Sequence, residues 1–510
     1  MELVDMKKNQ TTNKSTMKRS QATSKATTKK SSQVNREAQE KKKNDKRNVP
    51  VLVITYFVIF IFIAMMVYLV KFVVQDSETT IANSYNKRQS LYAESVVKGK
   101  ILSSDGEILA ETQIDEEGNE TRYYPYANMF SQVVGYDSYG QSGLEMTSNY
   151  YLLTSNQNIL YRAYHALTEE KDMGNNVVTT LDFNLQETAY NALGDNDGAV
   201  VVIEPSTGKI KAMVSKPDYN PNDIANVIEE SQNSDSSCLL NRVTQGLYPP
   251  GSTFKILTTL EYIRENPDYK QYSYNCEAEG IFNDVSIHCY NYKVHGTVSL
   301  EDSLAYSCNT SFSNIGITLD MDALKNLCED FLYNKDLPYD SYYSHSSYSM
   351  DASVDKSLIP QTVIGQGETL ITPLHNAMIM CAIANGGVLM KPYLIDSIEN
   401  CDGSTVKRFS KDSYGRIISG SEAEALIDMM MSVTEYGTAS SYFEGAAYTV
   451  AGKTGTAEFN ENKDSHSWFV GFSNVDNPDI VVCVLVENAS TTGASATSIA
   501  RRIFDSYYNN

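Results

Sequence analysis

The chain has 510 residues, too many for one ordinary domain, so two or three folded units are expected. Its net charge of -21 is unevenly held: residues 1–50 carry 14 Lys/Arg against 5 Asp/Glu, and the remainder carries 28 against 58. Such a split points to two environments and argues against nucleic acid as partner of the acidic main body.

Residues 1–50 are rich in Lys, Thr, Ser, Asn and Gln and read as a disordered tail. Such a tail either only sets topology or touches anionic lipid or a cytoplasmic regulator. Residues 51–70, VLVITYFVIFIFIAMMVYLV, carry no charge and suffice to cross roughly 30 Å of hydrocarbon as a helix. A cleaved signal peptide has a shorter apolar run and a small-residue cleavage site. Lys41, Lys42, Lys43, Lys46 and Arg47 precede the span, which predicts a cytoplasmic N-terminus, a single pass and everything after about Val74 outside.

Residues 76–175 mix short strand-like runs with turns such as Asp105-Gly106 and Glu117-Gly118, the texture of an elongated, non-catalytic module. From Asn176 the texture changes. Residues 177–182 read as a strand and residues 185–193 as a helix. In residues 198–214, GAVVVIEPSTGKIKAMV, two β-branched runs flank Pro205-Ser206-Thr207-Gly208, a hairpin signal. Thr449-Val450, residues 468–472 and residues 480–486 add three strands, and residues 496–507 an amphipathic helix. Helices fill most of the middle. The fold class is α+β: a sheet with strands from both ends of the domain and helices packed on it. The expected division is a tail (1–50), a transmembrane anchor (51–73), a pedestal (74–175) and a catalytic domain (176–510).

The eight cysteines are Cys238, Cys276, Cys289, Cys308, Cys328, Cys381, Cys401 and Cys483. No CxxC occurs, no Cys/His group has zinc-like spacing, and most read as buried apolar side chains. If their stretch is extracytoplasmic, Cys276 and Cys289 are the pair a disulfide could join.

The chemistry lies in three short motifs. YPPGSTFK, residues 248–255, puts Ser252 at the start of a helix and Lys255 one turn later on the same face. A serine hydroxyl needs a base, and a lysine made neutral by burial or a second cation can serve. The chain holds seven S-x-x-K strings, so the string alone selects nothing. Ser307-Cys308-Asn309 follows 55 residues after Ser252, with a hydroxyl that can relay a proton and an amide that can hold a substrate amide. Lys453-Thr454-Gly455-Thr456 follows 201 residues after Ser252, at the end of a strand-like run whose backbone could lie beside an extended peptide. Gly455 permits close approach, and Lys453 offers a positive charge to a carboxylate.

This ordered triple resembles the penicillin-binding protein and serine β-lactamase signature. The wider chain resembles the class B, monofunctional penicillin-binding proteins. KGKILSSDGEILA at residues 98–110 is similar to the family's R-G-x-I-x-D-R-x-G-x-x-L-A, with Lys98 for the usual arginine and Ser104 for another basic residue. Gly140 to Glu145 resembles G-x-x-G-L-E, GQGETLITPL at residues 365–374 resembles G-Q-G-x-L-x-x-T-P-L, and HSWFVGF at residues 466–472 resembles the strand after K-T-G. His375 stands where glutamine is commoner and reads as structural.

The resemblance implies a D,D-transpeptidase acting on peptidoglycan stem peptides and acylated by β-lactams. Ser252 would be the nucleophile, Lys255 the general base and Ser307 the proton relay, tuned by Lys453. Asn309 and Thr454 would bind substrate, and the N–H groups of Ser252 and Thr456 would form the oxyanion hole. No metal or organic cofactor is required. The partner implied is a membrane-embedded SEDS-type glycosyltransferase, because residues 76–175 are too few for such a domain within the chain. Alternatives are a membrane-bound β-lactam sensor or a non-catalytic cell-wall scaffold. A class A β-lactamase is disfavoured, since no E-x-x-L-N lies between Asn309 and Lys453.

Overall fold

The computed structural model describes residues 6–72, 93–234, 236–458 and 465–509. The chain divides into two compact units, Met1–Ile81 and Ala82–Asn510.

The first unit is one helix, Met6–Lys71. Its residues 51–70 are exposed along their whole length, with Phe57 and Phe60 uncovered, and the apolar run is long enough to cross a membrane. The helix reaches back to Met6, through residues whose composition reads as a tail. The run REAQEKKKNDKR at residues 36–47 is rich in good helix formers, and an existing helix beside it removes the cost of nucleation. Residue 73, the expected end of the anchor, lies outside the described residues.

The second unit is built on an antiparallel five-stranded sheet. Its order is Val450–Glu458, Ser465–Ser473, Val481–Val486, Gly198–Glu204 and Lys209–Lys216. The expected hairpin is present, with Glu204 opposite Lys209 across the turn. All six residues of Val481–Val486 are buried, which explains an unbroken apolar strand without alternation. Two helical layers cover it: the wholly buried Pro373–Ala384, and the C-terminal Ala496–Asn509 packed beside Phe183–Leu193. Thr372 caps the first of these by accepting from the His375 N–H, with Pro373 at its first position.

A second, six-stranded sheet joins residues on both sides of 176. Its order is Thr405–Arg408, Ile395–Glu399, Asn176–Thr179, Ile101–Leu102, Ile108–Ile114 and Glu120–Tyr123. A buried ion cluster lies beside it. Glu145, fully buried, holds Arg122 at 2.7 Å and Lys98 at 2.8 Å, and Lys98 also pairs with Asp137. The departure from arginine at Lys98 therefore keeps a cation on Glu145.

The middle of the chain is less helical than expected. Tyr274–Cys276 pairs with Gly296–Val298, and Glu279–Phe282 with Val285–His288, as two small antiparallel ribbons. They lead directly into the second motif.

Candidate active site

The first motif sits in a braced turn. Gly251 has φ +53°, which favours glycine, and a Cβ there would lie 2.6 Å from the Thr456 carbonyl oxygen. Its N–H donates to Gly365 O at 2.9 Å, so the G-Q-G segment supports the turn. Ser252 is half-buried in the 3-10 turn Gly251–Thr253, and the helix Lys255–Glu265 follows. Thr253 donates to Pro250 O at 2.8 Å and accepts from Asn376 Nδ2 at 3.3 Å. Two of the other S-x-x-K strings serve turns: the Ser353 and Ser404 hydroxyls donate to Asp351 and Asp402 two residues earlier.

Lys255 links the first motif to the second. Its ammonium, fully buried, donates to Ser307 O at 2.8 Å, Ser307 Oγ at 3.2 Å and Asn309 Oδ1 at 2.7 Å. Three acceptors match its three N–H bonds. Among the described residues these are the hydrogen bonds it makes, so Lys255 faces the second motif and not Ser252 in this resting arrangement. Asn309 is oriented from behind, its Nδ2 donating to His288 O at 3.0 Å. Ser307 has φ +54°, a conformation a non-glycine residue holds only when its surroundings enforce it.

The third motif lies on the edge strand Val450–Glu458, whose outer side pairs with no other strand among the described residues. Lys453 is fully buried and donates to Thr454 O at 2.9 Å. The Thr454 hydroxyl meets that of Thr438 at 2.7 Å. A Cβ at Gly455 would come within 2.9 Å of Trp468 Cβ and 3.1 Å of Thr253 Cγ2. Close approach at Gly455 thus brings the strand onto the turn that carries Ser252. Gln366 Nε2 reaches Thr456 O at 3.5 Å.

Burial pushes the Lys255 ammonium down to about 8. Lys453 is pushed down too, first by burial and then by the charge of Lys255. Two buried amines that lower one another's proton affinity are a setting in which one is readily neutral. His375 is structural, as expected: it is fully buried, with Nε2 at 2.6 Å from Phe331 O, and burial lowers it to about 4.

Three features escaped the sequence reading. Thr438 and Gln366 join the third motif only through tertiary contact. The third is a cluster: Cys276, Cys289, His295 and Cys308, whose spacing gave no metal signal, come together with donor atoms all within 4.8 Å of one another. Cys276 and Cys289 are free thiols, 3.7 Å apart.

Comparison with known proteins agrees with this architecture. Residues 198–505 match the penicillin binding protein transpeptidase domain, and residues 98–177 the penicillin binding protein A dimerisation domain. The chain is 32% identical over 451 residues to the peptidoglycan D,D-transpeptidase PbpA of Mycolicibacterium smegmatis, covering 82% of this chain and 91% of that protein. Penicillin-binding protein A of M. tuberculosis, solved as an imipenem acyl-enzyme complex, superposes with a TM-score of 0.74 at 28% identity, over 82% of this chain and all of that one. A D,D-transpeptidase domain from Eggerthella lenta gives a TM-score of 0.72 at 30% identity, over 82% and 99%. A serine turn, a buried lysine and an edge strand in this order, on a chain so matched, place the protein in the penicillin-binding protein transpeptidase family.

Proposed function

We propose that the protein is a serine D,D-transpeptidase that cross-links peptidoglycan stem peptides and is acylated by β-lactams. One observation carries the reading: Lys255, buried and lowered to about 8, holds both Ser307 and Asn309 while sharing a turn of helix with Ser252. A base with a pKa near working pH suits proton transfer.

The donor peptide lies extended along Val450–Glu458, its terminal carboxylate drawn to Lys453 and Thr454, its amide to Asn309. The neutral amine of Lys255 takes the Ser252 proton as Oγ attacks the penultimate D-alanyl carbonyl. The N–H groups of Ser252 and Thr456 hold the oxyanion, one such donor being worth about 3 kcal/mol of barrier. Ser307 passes a proton to the departing nitrogen, the C–N bond breaks and D-alanine leaves. The amine of a second stem peptide then displaces Ser252 and restores the enzyme.

The same reading assigns residues 51–73 as a membrane anchor with the N-terminus cytoplasmic, residues 74–175 as a pedestal and residues 176–510 as the catalytic domain outside. Glycan polymerisation falls to a SEDS-type membrane glycosyltransferase as partner. Co-purification of that polymerase tests the partnership, and protease access from the outer side of intact cells tests the orientation.

The deciding experiment is labelling of the full chain in detergent with a fluorescent penicillin. A covalent band, absent in Ser252→Ala, is expected. No band from folded wild-type protein would overturn the reading.

A further inference from the structure

We propose that Cys276, Cys289, His295 and Cys308 form a structural zinc site that fixes the second active-site motif.

The distances fit the ion. Cys276 Sγ and Cys289 Sγ are 3.7 Å apart, Cys289 Sγ and Cys308 Sγ are 3.7 Å apart, and Cys276 Sγ is 3.5 Å from His295 Nδ1. Tetrahedral zinc with Zn–S of about 2.3 Å and Zn–N of about 2.0 Å sets its ligands about 3.8 Å (S to S) and about 3.5 Å (S to N) apart. A disulfide needs sulphurs at about 2.0 Å and would strand the third thiol. Three soft thiolates and one imidazole make a closed four-ligand set of the structural kind, with no position left for substrate.

The surroundings fit thiolates. The Thr310 hydroxyl donates to Cys276 Sγ at 3.2 Å and lies 3.4 Å from Cys308 Sγ. The Ser311 N–H donates to Cys308 Sγ at 3.5 Å. His295 is held flat against Tyr306, with ring planes 2° apart. Partners of this kind orient ligands and favour their charged form.

The fold needs such a centre. The three sulphurs form a buried cluster of their own, separate from the main core, with the half-buried Tyr274 packed against it. The ribbons that carry Cys276 and lead into Cys289 are two-stranded, marginal in water without something to pack on, while Cys308 caps the helix Asn309–Gly316. Cys308 stands between Ser307 and Asn309, so a ligand bond at Cys308 holds both groups that Lys255 contacts and sustains the left-handed backbone at Ser307.

The test is metal analysis of the full chain, purified in detergent without a chelator or a histidine tag. About one zinc per chain is expected, with Cys276 and Cys289 unpaired in non-reducing peptide maps. Cobalt(II) exchanged for zinc should give thiolate-to-metal charge-transfer bands and tetrahedral d–d absorption. His295→Ala should lose most of the metal, His295→Cys should regain it, and Ser252→Ala should keep it while losing penicillin labelling. Zinc removal should slow labelling at least tenfold, reversibly. Wild-type protein with no zinc, whatever the state of its thiols, or zinc content unchanged in His295→Ala, would overturn the proposal. The wild-type zinc content and cobalt spectrum decide the matter even if a variant misfolds.

Discussion

As the proposed base, Lys255 should govern how the site responds to pH. Its pKa is lowered to about 8 by burial, so below that pH the amine carries a proton and cannot accept one from Ser252. The acylation rate should therefore rise as pH increases through about 8 and level off above it; a rate falling over that window would remove Lys255 as base. Thr438 offers a finer test. Its hydroxyl supports that of Thr454 at 2.7 Å, a neutral hydrogen bond of about 1 kcal/mol, so Thr438→Val should slow acylation roughly fivefold with the folded structure intact. The two residues differ in legibility for a physical reason. Ser252 and Lys255 share one helical turn, and Ser307 and Lys453 carry distinctive neighbours, so local sequence betrays them. Thr438 gains its role only because the edge strand folds back beside it, and nothing adjacent in sequence marks that.

At the level of elements, the buried Glu145 ties the Gly143–Thr147 helix to the strand Glu120–Tyr123 through Arg122 and to Lys98 before the first strand of its sheet. Glu145→Gln leaves two buried cations without their carboxylate and should cost about 3–5 kcal/mol, read as a lowered denaturation midpoint. A change below about 1 kcal/mol would mean that Asp137 alone suffices. Long elements were legible here. Residues 199–203 before the hairpin turn and residues 480–486 have unbroken apolar runs of five and seven residues. The ribbons of residues 274–298 were not, because strands of three or four residues are too short to show a period. The Cys/His cluster stayed hidden with them, since its members meet only when both ribbons close. The six-stranded sheet across residue 176 was equally invisible, because the pairings that join its halves, Ile395–Glu399 and Ile101–Leu102 against Asn176–Thr179, link segments far apart in sequence.

For the molecule as a whole, charge and hydropathy were legible at once. They are sums over many residues, and no single contact alters them. The basic residues 1–50 and the acidic remainder belong to separate compact units, with the apolar run inside the first. What composition could not convey is the open side of Val450–Glu458. A guest that docks there is held main chain to main chain, and such pairing is nearly blind to side chains. On the proposed function, discrimination is then left to the guest's end, where Lys453 would meet a carboxylate. Donor peptides with altered side chains along the strand should be used with similar efficiency, while one whose terminal carboxylate is amidated should lose nearly all of it, as measured by D-alanine release. The site would thus behave as a reader of chain ends, tolerant of the message and strict about where it stops.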